Sequence, residues 1–269
     1  MNIAFWSNVS GRSGTSGNML AVGIMTSVLY SLKTMLVQTD CVSRPIDEAL
    51  ESRKADTIIN EELYFYSRKG MDELIERGRR NLLTGEMVET NVVNVKHTNI
   101  YYIPSAKEKS NSNGKENIKI YETLMNKLNN MGNLNFWDVL NGENSTSKAI
   151  MEKSDVVVVN LCQEAGNLGI LRDNEGLLKK AVFLIGKYDS SSRKSFGNIC
   201  KEYGISKDNT GIISYNIHFH DAVNEGRAVP FIMKNIFAKK HEANFEFINN
   251  LFKATNLVLK KAGVEGIEE

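Results

Sequence analysis

Asn2-Ile3-Ala4-Phe5-Trp6-Ser7-Asn8-Val9-Ser10-Gly11-Arg12-Ser13-Gly14-Thr15-Ser16-Gly17-Asn18-Met19-Leu20 reads as strand, glycine loop and helix in immediate succession. Ile3 to Trp6 is short and apolar enough for a buried parallel strand. Met19-Leu20-Ala21-Val22, Ile24-Met25 and Val28-Leu29 then recur at helical spacing. Between them Gly11, Gly14 and Gly17 carry no Cβ, so a phosphate can approach the main chain and rest on the N-terminus of the following helix. There the first amides point outward and the helix dipole favours an anion. A nucleotide is the first ligand class this stretch suggests.

Three readings of the loop stay open on these residues. As G-x-x-x-x-G-K-[ST] it fails, because no lysine precedes a hydroxyl residue in it. A degenerate phosphate loop remains, with Gly11, Arg12, Gly14, Thr15, Ser16 and Gly17 around the phosphates. As Ser10-Gly11-x-x-Gly14-x-x-Gly17 the stretch resembles the Thr-Gly-x-x-Gly-x-x-Gly loop of atypical short-chain dehydrogenases. That resemblance implies NADPH on Gly11, Gly14 and Gly17, with Asp40 on a ribose hydroxyl. The third reading is an ordinary strand-to-helix turn.

The whole-chain numbers admit all three. With 269 residues the chain fits one α/β domain over 1–269, and its 42% hydrophobic content is ordinary for a soluble globule. A net charge of +1 gives no bulk affinity for nucleic acid or membrane. Cys41, Cys162 and Cys200 are widely spaced and form no C-x-x-C pair, so neither a disulfide framework nor a zinc site is implied. No secretory leader pattern and no run of eighteen apolar residues stands in the sequence, so a cytoplasmic setting without a membrane span is expected. In that setting the sequons at Asn8 and Asn144 carry no meaning.

Strand and helix alternate along the rest of the chain. Met35-Leu36-Val37-Gln38 is a second strand, close enough to the first for a right-handed βαβ crossover. Asp40, just after it, is where a switch aspartate would meet a nucleotide. Residues 61–83 read as a helix, and Arg68, Lys69, Arg77, Arg79 and Arg80 make it the most basic segment, a solvated face with interspersed acids or a partner surface. Asn99 to Pro104 reads as a strand ended by proline. Residues 105–117 are low in complexity and predict an exposed, mobile loop, followed by a helix over 118–130.

Leu134-Asn135-Phe136-Trp137-Asp138 is an apolar strand ending in an aspartate, with Gly142 four residues on. In P-loop proteins an aspartate leaving a central strand anchors the magnesium shell and the attacking water. Ser154-Asp155-Val156-Val157-Val158-Val159 follows, suited to a central parallel strand covered on both faces.

Here the chain resembles the ParA/MinD family. Gly11, Gly14 and Ser16 fall where that family has the glycines and magnesium-binding hydroxyl of its Lys-Gly-Gly-x-Gly-Lys-[Ser/Thr] loop, while Ser10 and Thr15 replace both lysines and Arg12 replaces a glycine. Asp138-x-x-x-Gly142, a short helix over 147–153 and the valine strand are similar to the family's next elements. So is Gly211 to Pro230, with Asp221-Ala222-x-x-x-Gly226-x-x-Val229. Among divergent members of that family the chain resembles the TadZ/CpaE pilus-assembly branch. The resemblance implies ATP or ADP with magnesium on Ser16 and Asp138, Asp138 and Asp40 as the catalytic carboxylates, and slow or absent hydrolysis. It also implies a homodimer serving a cytoplasmic assembly such as a pilus or secretion machine. Its other branch, genome partitioning, implies DNA binding through a surface such as Arg77, Arg79 and Arg80. The fold implied is a doubly wound, mainly parallel sheet of about seven or eight strands with helices on both faces.

Remaining motifs are thinner. Tyr203 and Lys207 have the spacing of a dehydrogenase Tyr-x-x-x-Lys, but Gly204 and Ile205 interrupt the helix that would align them. His218-x-His220-Asp221 could hold a metal if it lay on a strand, where alternate residues share a face. Asp189 is read as the cap of a helix starting near Arg193. Gly186-Lys187-Tyr188-Asp189 resembles a guanine-reading Asn-Lys-x-Asp without its asparagine, which argues against GTP. The closing helix, 244–261, presents a packing face, and the tail Glu265, Glu268, Glu269 is acidic, unlike a basic membrane-seeking tail.

Overall fold

The structure, a computed structural model, describes residues 1–9, 11–39, 45–51, 70–107, 114–142, 144–163 and 175–264. Its elements in chain order begin with β1 (Asn2–Trp6), α1 (Thr15–Tyr30), β2 (Thr34–Gln38), α2 (Ile46–Leu50), α3 (Met71–Arg79) and α4 (Gly85–Thr90). Then come β3 (Val93–Asn94), β4 (Ile100–Tyr102), α5 (Gly114–Asn129), β5 (Leu134–Asp138), α6 (Ser145–Lys153), β6 (Val156–Leu161) and α7 (Glu175–Lys179). The chain closes with β7 (Ala181–Tyr188), α8 (Phe196–Tyr203), a 3-10 turn (Lys207–Asn209), β8 (Thr210–Ser214), α9 (Ile217–Asn224), α10 (Ala228–Asn235) and α11 (Phe245–Lys261).

Among the described residues the strands form one sheet of eight, in the order β3-β4-β2-β5-β1-β6-β7-β8. Every pairing is parallel except β3 with β4 at the edge. The doubly wound architecture expected from the alternation is therefore the observed one. β1 lies inside the sheet between β5 and β6, with Phe5 opposite Asp138 and Trp6 opposite Val159.

Period-two alternation explains why the central strands are apolar throughout. Ile3, Phe5, Val156 and Val158 enter the core layer that holds α1, α9, α10 and α11. Ala4, Trp6, Val157 and Val159 enter the opposite layer with α3, α5, α6 and α8. The chain leaves β1 toward β2 on one side and leaves β5 toward β6 on the other, so the carboxyl ends of β1 and β5 sit where the winding reverses. Such reversal points open a crevice above the strand ends.

Several local expectations change. The helix expected over 61–83 is described only from Met71 to Arg79, because 52–69, with Arg68 and Lys69, lie outside the described residues. Within 105–117, Ser105 and Ala106 are buried and Ser105 Oγ donates to Gln38 Oε1 at 2.8 Å. Gly114–Asn117 already belong to α5, and 108–113 lie outside the described residues. The His218-x-His220 pair is on a helix, not a strand: Asn216 caps α9 by accepting from Phe219 N at 2.8 Å. Helical residues two apart point to different faces, so the metal geometry considered for them is lost. Ser195, not Asp189, caps α8. Asp189 instead accepts from Ser191, through Oγ at 2.6 Å and N at 2.9 Å, and these bonds hold its carboxyl below the usual carboxylate range. Ser10, Asp40, Cys41 and the acidic tail also lie outside the described residues.

Candidate functional site

The glycine loop hangs from the carboxyl end of β1 and enters α1 through Gly14, which takes φ 70° and ψ 30°. That left-handed turn suits glycine, and it swings the chain directly into the helix. No side chain caps α1, and its first turn contains no acidic residue. Its leading amides and dipole are thus left to an anion rather than answered by a cap.

The loop is seated on its neighbours by a buried polar lattice. Asn18 Nδ2 donates to Ser13 O at 3.2 Å and to Asn160 Oδ1 at 2.8 Å. Asn160, at the end of β6, in turn donates to Trp6 O and Val158 O, both at 3.3 Å. On the β5 side, Ser7 N donates to Asn141 Oδ1 at 3.2 Å, Gly142 N to Ser7 O at 2.9 Å, and Trp6 Nε1 to Gly142 O at 3.0 Å. Thr15 is buried, its hydroxyl 3.0 Å from Ser13 Oγ and 3.4 Å from Asn141 Oδ1. At this position the loop therefore has an uncharged brace. Ser16 and Gly17 are half-buried, and Gly11 and Arg12 are exposed.

Asp138 stands at the end of β5, in register with Phe5 of β1 and Gln38 of β2, and is 6% exposed. Gln38 Nε2 donates to its Oδ2 at 2.8 Å, and Thr39 holds its carbonyl through N and Oγ1, each at 3.0 Å. A carboxylate fixed at the crevice in this way can face a cation or a water. Among the predicted site residues, the structure joins Thr15 to the segment after Asp138 through Asn141. It does not describe Asp40.

Four residues that hold the loop were not among the expected site residues: Asn18, Asn141, Asn160 and Lys187. Asn160 had a signal, an amide interrupting a run of valines in a fully buried strand. Lys187 had none. Its Nζ donates to Gly11 O at 3.2 Å, so a side chain of β7 lies across the loop 176 residues away in sequence. Gly186 beside it carries the closest approach, since a Cβ there would lie 2.0 Å from Ser13 O and 2.4 Å from Asn18 Nδ2. The missing asparagine of the guanine-reading motif thus has a steric reason: only glycine leaves room for the loop.

Two further readings meet the geometry. A Cβ on Gly17 would touch nothing within 4 Å, so the close packing that asks for a third glycine in a dinucleotide loop is absent. Tyr203 is the last residue of α8, Gly204 follows in the left-handed region at φ 67°, and Lys207 opens the 3-10 turn, so no helix aligns the pair. Arg77 pairs with Glu73, and Arg79 and Arg80 with Glu76, so acids are interspersed with the described part of that basic segment. Among the described residues no helix is long and apolar enough to cross a membrane, and no group of three His, Cys, Asp or Glu side chains could hold a metal ion.

Neither the protein-family models nor the curated proteins give a match to this chain. Solved structures do. A ParA family ATPase from Chlorobium tepidum TLS superposes with a TM-score of 0.68 at 13% identity, covering 96% of this chain and 97% of the other. The septum site-determining protein MinD from Pyrococcus horikoshii OT3, complexed with Mg-ADP, gives 0.64 at 12% identity over 98% of each chain. A plasmid partition protein from Borrelia burgdorferi B31 bound to AMPPNP gives 0.63 at 16% identity, covering 97% and 98%. At these identities the likeness is one of fold: the sheet and its helices are arranged as in ParA/MinD-type ATPases.

Proposed function

We propose that this chain binds ATP or ADP with magnesium at the loop of residues 7–17, and serves as a scaffold or positioning factor with slow or absent hydrolysis. The observation that carries the reading is the uncapped N-terminus of α1, entered through Gly14 from a central strand at the reversal point of the sheet. Structural neighbours solved with Mg-ADP and with AMPPNP share the fold, and their ligands support the same ligand class for this reading. The amides behind Gly14 would take the phosphates, with Gly11, Arg12, Gly14, Thr15, Ser16 and Gly17 forming the cradle. Ser16 and Asp138 would hold magnesium, which when bound screens phosphate charge. Asp138, kept in place by Gln38, would orient a water, with Asp40 as the second carboxylate.

A thermal-shift series on the full chain tests this with ADP, ATP and NADPH, each with and without magnesium. ADP and ATP should raise the unfolding midpoint, more so with magnesium, as any ligand of the folded state must. Stabilisation by NADPH alone would move the reading to the dehydrogenase alternative, and stabilisation by none would sink it.

Hydrolysis should run about a thousandfold or more below ordinary P-loop ATPases, because Thr15 cannot place a charge from within the loop on the transferring phosphoryl group, and a cation that only aids phosphate binding does not replace it. Ordinary turnover that Asp138→Asn abolishes would refute the scaffold assignment.

The cellular role follows the TadZ/CpaE resemblance: a cytoplasmic homodimer organising a pilus or secretion assembly. Genome partitioning is the competing role, favoured by the plasmid-partition neighbour and opposed by the internally paired arginines of α3. Sedimentation with and without ATP, beside a DNA-binding assay over a salt series, separates them. A constitutive dimer indifferent to DNA supports the scaffold. An ATP-driven dimer whose DNA affinity falls steeply with salt supports partitioning.

A further inference from the structure

We propose that Lys187 supplies the positive charge of the phosphate site, reaching over the glycine loop from β7 in place of a lysine within the loop. The inference rests on the nucleotide reading above. From Ser7 to Gly17 the chain has no lysine, and Arg12 is an exposed residue of the loop. Lys187 instead lays its stem along the loop. A Cβ built on Gly14 would be 3.4 Å from its Cγ and 3.5 Å from its Cε, and its ammonium donates to Gly11 O at 3.2 Å.

The backbone is bent to put it there. Ile185 pairs with Ile212 and Tyr188 with Ser214, so Gly186 and Lys187 together face Ile213 alone. That two-against-one mismatch is a bulge, a device that re-aims a side chain at the rim of a sheet. Regular alternation would carry Lys187 to the face of Ile185, in the layer of α8, away from the loop. Lys187 takes φ 50°, the left-handed region that a residue with a Cβ occupies at a cost. A single bond to a neutral carbonyl is slight return for such a conformation, and strain of this kind gathers at ligand sites.

Among the described residues no carboxylate pairs with Lys187, and neighbouring Asp189 is engaged by Ser191. An ammonium has three donors, and a phosphate oxygen is a far stronger acceptor for it than a peptide carbonyl. On a flexible four-carbon stem it can exchange Gly11 O for a phosphate beside the N-terminus of α1.

Titration calorimetry of the full chain with ADP, ATP and adenosine tests the assignment, using wild type, Lys187→Gln and Lys187→Arg, with ligand-free melts of each. Lys187→Gln should weaken ADP and ATP by roughly ten- to a hundredfold and shrink their advantage over adenosine by the same factor. Lys187→Arg should stay within about threefold of wild type, and the ligand-free midpoints within ~2 °C, as for a surface change. Unchanged ADP affinity in Lys187→Gln, with wild type binding normally, would overturn this inference alone. So would equal loss in both variants together with a lowered ligand-free midpoint, which marks a structural strut. A wild-type chain that binds neither ADP nor ATP overturns the nucleotide reading and this inference with it.

Discussion

Gly186→Ala is expected to destabilise the fold by about 3 kcal/mol, the upper end of what overpacking costs, and to remove measurable nucleotide binding. The added methyl carbon would lie 2.0 Å from Ser13 O and 2.4 Å from Asn18 Nδ2, and neither neighbour can step aside. Ser13 O is main chain, and it accepts from Asn18, which is itself tied to Asn160. Relief therefore requires β7 and the loop to part, which opens the lattice that seats the glycine loop. For a chain of this length 3 kcal/mol is roughly 6–12 °C in the unfolding midpoint, readily seen by calorimetry. Gly17→Ala is the control for the ligand-free stability alone, because its Cβ meets nothing within 4 Å and lies in α1, where alanine is favoured by up to about 1 kcal/mol over glycine. Equal melting of Gly186→Ala and wild type would show that the loop is not seated on β7.

Trp6→Ala should cost about 3–5 kcal/mol, the range for deleting a large buried aromatic side chain. Trp6 is fully buried, packs in the core layer with Trp137 and Val159, and donates its indole N–H to Gly142 O at 3.0 Å. Gly142 N donates back to Ser7 O, and Asn141 beside it holds Ser7 N and Thr15. One side chain thus joins the core to both walls of the site. Trp6→Phe separates the two contributions. It keeps most of the apolar contact and leaves Gly142 O without the indole, for a loss of about 1–3 kcal/mol. Urea unfolding of the three proteins measures this order, and a Trp6→Phe loss as large as that of Trp6→Ala would show that the hydrogen bond, not packing, dominates.

These two residues mark how far the sequence could be read. The sheet was legible because its signal is local: four consecutive valines from Val156 to Val159 can only suit a strand covered on both faces. Asp138 at a strand end and Gly142 after it were legible for the same reason, as were the glycines at the mouth of α1. A strand stayed open for His218 and His220 because the decisive signal, Asn216 capping Phe219 N, competes with an apolar run that suits either state. Asp189 was misread as a cap because an acidic residue before serines fits a turn as well as a helix start, and Ser191 settles it by bonding within the turn.

The sequence by itself determined the alternation of strands and helices, the apolar character of both sheet faces, and the strand-loop-helix that offers an amide cluster to an anion. Each depends on residues a few positions apart, where periodicity and the absence of a Cβ act directly. Only the tertiary structure decided that Gly186 exists to admit Ser13 O, that Asn160 holds the loop through Asn18, and that Lys187 lies on Gly11 from 176 residues away. A hydrogen bond or a steric contact acts over a few ångströms of space and leaves no periodic trace along the chain. It becomes visible only once the parallel sheet has brought the carboxyl ends of β1, β5, β6 and β7 to one rim.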